Sequence, residues 1–250
     1  MNQPRSLAFE PTLLRARLAE IEQALPAPPS QAPTEDGSVP ALHRALAQNV
    51  EVIARVEAEL AARHGFPPGF DPADVTQPTD YALSLIEQLG VAANRAGSPD
   101  VAREIQDLAI AIALWSASRG GRLERLEVVV NAFAERANAL HDPDDLGALS
   151  DAMGTVIEAV VDELKQDLEK TDALRPWRIL NLNRAIVATR SHDPARMESA
   201  FAVLVANLPE DARGFFPEGM EEMDRVGYPP PVRAVMTKYF EQWGSGDTLH

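Results

Sequence analysis

A chain of 250 residues, 45% apolar and 24% charged, is long enough to bury a sizeable core in one large domain or two small ones. Its formal net charge of −15 sets it against nucleic-acid backbones and anionic membranes, since both need a basic face. With no cysteine it can hold no disulfide, no thiolate zinc site and no cysteine nucleophile. The opening "MNQPRSLAFEP" does not read as a secretory leader. The longest strongly apolar run, "LAIAIALW" at 108–115, is too short to span a bilayer. A cytoplasmic location is expected. Arginine far outnumbers lysine (only Lys165, Lys170 and Lys238 occur) and alanine is abundant, a bias we read as that of a GC-rich bacterial genome.

Helix-forming alanine, leucine, glutamate and arginine fill the chain, and no run alternates convincingly at period two. The fold class read from this pattern is all-α. Residues 1–25 carry a first amphipathic helix, with Leu14, Leu18, Ile21 and Leu25 on one stripe. Residues 26–40, with five prolines, read as a flexible linker that tethers it. Residues 41–78 hold a second helix and a proline-rich connection. Along that helix Leu42, Leu46, Asn49, Ile53, Val56 and Leu60 form a short heptad seam. The seam either docks on its own domain or joins two copies in a homodimer through 41–63.

The body is expected over 79–243, with Thr79 as its first N-cap. Six helices are predicted at 79–96, 99–118, 121–140, 143–170, 176–190 and 194–208. Ser98, Asp142 and Asp193 each stand before a proline. An oxygen-bearing cap followed by proline, whose missing amide would be unpaired anyway, starts a helix. The three phrases therefore read as corners of helical hairpins, 44 and then 51 residues apart. Neighbouring hairpins would stack to cover apolar faces that none can bury alone. Residues 107–117 are apolar nearly all round and belong at a centre. The segment 193–211, "DPARMESAFAVLVANLPED", resembles one tetratricopeptide unit at Phe201 and Pro209, although the helix before it lacks that family's small contact residue. A short helix at 218–226 and a last one at 231–243, with an aromatic face of Tyr239, Phe240 and Trp243, complete the body. Residues 244–250 read as a frayed tail.

The search for chemistry yields little. Among the five histidines none lies three or four residues from another, and no Glu-x-x-His pair exists. His141 and His192 fall in corners, where they read as helix-closing residues. There is no dinucleotide or Walker loop and no nucleophile elbow. No catalytic residue, metal site or cofactor is expected. Residues 142–172 hold ten acids and two lysines, a net of −8, and 175–196 hold five arginines and one acid, a net of +4. The simplest account is attraction between these segments within the fold; the sharper one is an acidic ridge for a basic partner.

Asparagines in the first helices of hairpins need a reason, because their amides compete for backbone bonds. Asn131, Asn181 and Asn183, with Arg178, Arg184 and Trp177, are therefore the candidate binding residues, able to hold an extended peptide. The function that follows is a non-enzymatic protein–protein interaction, scaffold or adaptor protein. Its partner would be another protein, met as a peptide or a basic surface, with no nucleic acid and no membrane. Two alternatives stand beside it. One is a small enzyme or ligand-binding bundle with a pocket near Trp115, Trp177 and Tyr228. The other is an acidic regulator of a basic protein.

Overall fold

The computed structural model describes residues 7, 9–25, 38–62, 71, 73–168 and 170–244. Most of the expected linker (26–37), residues 63–70 of the connection, and the tail from 245 lie outside the described residues. The protein is all-α: the described residues form eleven α-helices, with one isolated parallel bridge between Leu123 and Val160. No helix among them is long and apolar enough to cross a membrane. The chain divides into two compact units. The first comprises Met1–Arg136 with Glu158–Val161, the second Ala137–Ile157 with Asp162–His250.

The first unit contains α1 (Pro11–Ala24), α2 (Val39–Ala62), α3 (Ala73–Arg95), α4 (Pro99–Ser118) and most of α5 (Glu127–Ala139). The first helix, expected on a flexible linker, is docked. α1 packs against α2 and α4, burying Leu14, Leu18 and Ile21. His43 Nε2 meets the Leu18 carbonyl at 2.9 Å, and Arg17 donates to Asp107 at 2.8 Å. Burying three aliphatic side chains outweighs the entropy of docking one short helix. The α2 seam is covered from within the chain by α1 and α3: Leu42, Leu46, Asn49, Ile53 and Leu60 are buried. α4 is the central rod, with Ile105, Leu108, Ile110, Ile112 and Trp115 all buried.

The expected start at Thr79 also needs correction. α3 begins at Ala73, whose N–H is accepted by Asp71 Oδ1 at 2.9 Å, and runs through Pro78. Proline deprives the Asp74 carbonyl of its partner, but Asp74 is exposed, so water reaches it. Thr79 is buried inside the helix and returns its hydroxyl to the Val75 carbonyl at 2.8 Å.

The second unit contains most of α6 (Pro143–Ala159), then α7 (Asp162–Lys165), α8 (Pro176–Arg190), α9 (Pro194–Asn207), α10 (Pro209–Val226) and α11 (Pro230–Trp243). The single helix expected over 143–170 ends at Ala159, and α7 is one turn followed by an irregular loop. α10 starts nine residues before the expected 218 and passes through Pro217. Arg213, whose carbonyl that proline frees, is again exposed. α9, α10 and α11 enclose an aromatic cluster in which Phe201 meets Phe216 and Tyr239 edge-on, each at 5.2 Å. Edge-to-face contacts of this kind add about 0.5–1.5 kcal/mol each beyond buried area.

All three Xaa-Pro phrases start helices, by different means. Before Pro99, Gly97 takes φ +79°, its N–H bonds the Asn94 carbonyl, and the N–H of Ser98 bonds the Ala93 carbonyl. That pair of bonds closes α3 in a Schellman motif, and the Ser98 side chain makes no cap bond. Asp142 Oδ1 accepts the N–H groups of Asp144 (2.9 Å) and Asp145 (3.3 Å), while Asp193 accepts those of Ala195 and Arg196. At the third corner His192 itself occupies the left-handed region, at φ +57°.

Candidate functional site

α8 carries five of the six candidate binding residues, and about half of its residues are buried. Trp177, Asn181 and Arg184, spaced four and three apart on one stripe, are all buried. Asn181 donates to the Trp177 carbonyl at 2.9 Å and accepts from Asn207 Nδ2 at 2.8 Å. Both ends of its amide are thus used, the nitrogen within α8 and the oxygen to join α8 to the end of α9. Arg184 lies against Gly154 of α6, where a Cβ would come within 2.9 Å of its guanidinium carbon, and donates to Ser199 Oγ at 3.1 Å. The Trp177 indole N–H meets no acceptor among the described residues. Arg178 is half-buried and bonds Asp211 at 2.6 Å and the Ala173 carbonyl at 3.0 Å. Asn183 is half-buried, and Asn131 is exposed on α5 in the first unit.

The alternative pocket residues are distributed as follows. Trp115, in the first unit, stacks at 5.5 Å on Phe9 and donates its indole N–H to Glu57 at 2.9 Å. Arg119 binds the same Glu57, and this bond above all holds that carboxyl below its ordinary range. Trp177 and Tyr228 belong to the second unit. Tyr228 takes His192 edge-on at 5.3 Å, and burial, aided by Glu222, raises its hydroxyl above the usual tyrosine range. His141 is exposed, with Nδ1 3.2 Å from the Ala139 carbonyl. Among the described residues no group of three His, Asp or Glu side chains is placed to hold a metal ion.

The acidic and basic segments do meet inside the second unit. Arg175, the N-cap of α8, is buried and binds both carboxylate oxygens of buried Asp167. Its Nη1 donates to the carbonyls of Lys170 (3.3 Å) and Asp172 (2.8 Å). A cation at a helix N-terminus opposes the macrodipole, so this arginine stays only because carboxylates surround it, Asp211 included at 3.5 Å. Arg196 reaches Asp151 of α6 at 3.0 Å and lies against Gly147. Arg190 closes the end of α5, donating to the carbonyls of Ala137 and Leu140, each at 2.8 Å.

What sequence reading missed is the outside of this clasp. The loop from Asp167 to Arg175 is fixed from within by one guanidinium, yet it carries Leu168 at 82% and Leu174 at 76% exposure. These are the most exposed large apolar side chains among the described residues, and Leu164 of α7 is exposed as well. Asp162, Glu163 and Asp172 are exposed beside them in the chain. The signal was available: "KTDALRP" at 170–176 has the turn residues and terminal proline of a loop. The heptad-like spacing of Leu164 and Leu168 concealed it. No family model, curated protein or solved structure matches this chain.

Proposed function

We propose that the protein works by binding another protein, as an adaptor or acidic regulator, and that the loop Asp167–Arg175 is its principal contact. The observation that carries this is the pair Leu168 and Leu174, held out to solvent on a backbone that the buried Arg175–Asp167 pair fixes. An exposed leucine is ordinary by itself. Two beside a buried ion pair that ties both ends of the segment together are unusual, because each end already held lowers the entropy cost that weakens most contacts. The surrounding carboxylates, on a chain of net charge −15, select a partner segment that joins apolar with basic side chains.

The test is a pull-down from native-host extract, comparing the natural protein with a Leu168→Ser/Leu174→Ser double variant. Both leucines are exposed, so helicity and melting should be unchanged. A partner retained by the natural protein and lost from the variant, and released as salt rises to about 0.5 M, is the expected result. Equal retention by both proteins would remove the loop from the proposal.

A further inference from the structure

We propose that Asp80 is the trigger of a pH-sensitive latch that fastens residues 119–126 to α3 in the first unit. The irregular segment between α4 and α5 lies on the stripe Thr76, Asp80 and Glu87. The backbone N–H of Arg122 donates to Thr76 Oγ1 at 2.9 Å. That of Glu124 bonds the Asp80 carboxylate, and Arg125 pairs with Glu87 at 3.7 Å. Gly121 permits the approach, for a Cβ there would lie 2.3 Å from Ser116 Oγ and 2.9 Å from Val75 Cγ1. From this position Leu123 donates its N–H to the Ala159 carbonyl at 2.9 Å and accepts that of Val161 at 3.2 Å. The latch therefore also holds residues 159–161.

Of its contacts Asp80 is the one at odds with itself. The residue is half-buried, and its Oδ1 is fully buried with no hydrogen-bond partner among the described residues. An ionised carboxylate with an unpartnered oxygen out of water is costly. Burial first, and then the charge of Glu124, push its carboxyl up to about 6, against the bond from the Glu124 N–H and the charge of Arg125. Two further charged groups of the neighbouring elements are engaged elsewhere. Glu57 of α2 binds Arg119 and Trp115, and Arg122 reaches the Glu158 carbonyl at 3.4 Å. The folded-state value lies above the unfolded one. Asp80 therefore supports the folded contact most strongly below the ordinary aspartate range, and that support is lost as pH rises through about 6. Acidification closes the latch, and neutral pH loosens it.

Hydrogen exchange of the Leu123, Glu124 and Val161 amides, corrected for intrinsic pH dependence, reads the latch directly. Between about pH 5 and pH 7.5 their protection should fall about threefold to fivefold, less than the roughly tenfold that the full shift would allow over that window, because Asp80 is only half-buried. Asp80→Asn should abolish that fall. Glu124→Gln, which leaves Asp80 and its backbone bond in place, should reduce it and so serves if the first variant folds poorly. A pH-independent protection in the natural protein would overturn the proposal. So would an equal fall in the α2 and α4 amides, or a fall that survives both substitutions.

Discussion

α4 and α8 each bury about half of their residues in their own unit, and they are built from opposite materials. α4 presents isoleucine, leucine and alanine in every direction, and only Trp115 and Ser116 bring polar atoms into its buried part. α8 brings Trp177, Asn181, Arg184 and Thr189 into the interior. It survives there because partners were supplied: the Asn207 amide for Asn181, the α6 glycine Gly154 that leaves room for Arg184, and the Ala185 carbonyl for Thr189 at 2.9 Å. Apolar burial needs only a covering of the right shape, whereas polar burial needs particular atoms at particular distances. Enclosure is therefore cheap to achieve for α4 and demanding for α8.

Three measurements probe that difference. The largest effect should come from deleting residues 1–25, which uncovers one side of α4. Losing the burial of Leu14, Leu18 and Ile21, worth about 1.5–3 kcal/mol each, should cost roughly 5 kcal/mol in denaturant unfolding of the first unit. An unchanged transition would restore the tethered-helix reading. Next, Asp167→Ala leaves the guanidinium at the head of α8 buried without its main partner. We expect a loss of about 3 kcal/mol, with Asp211 and two carbonyls limiting the damage. A loss near zero would show that loop and clasp are separable. The smallest effect is Asn181→Ala, expected at about 1–2 kcal/mol because Asn207 loses its acceptor. Asn207→Ala should add little to it in a double-mutant cycle. Additive losses would mean that the two amides act independently.

The same contrast explains what could be read in advance. Helix type, the seam of α2, the centrality of 107–117 and the three Xaa-Pro starts all follow from periodicity and capping chemistry, which are local. Boundaries failed at Pro78 and Pro217, where a proline inside a helix is tolerated because the freed carbonyl belongs to an exposed residue. Trp177, Asn181 and Arg184 of α8 are buried for a different reason. Asparagine and arginine on a helix read as solvent-facing, and nothing local announces Gly154 or Asn207 across the unit. His192, read as a helix-closing residue, takes a left-handed backbone at its corner.

Taken alone, the order of residues determined that this protein is helical, where most of its rods begin and which one is oily enough to be enveloped. Those outcomes depend on contacts within a few turns of one chain segment. Only the folded structure decided that α1 docks, that α8 hides its polar side chains, and that 167–175 leaves helix to form a clasped loop with two leucines outside. Each of these is settled by groups distant in sequence, whose meeting compensates the desolvation or the entropy that the local pattern could not.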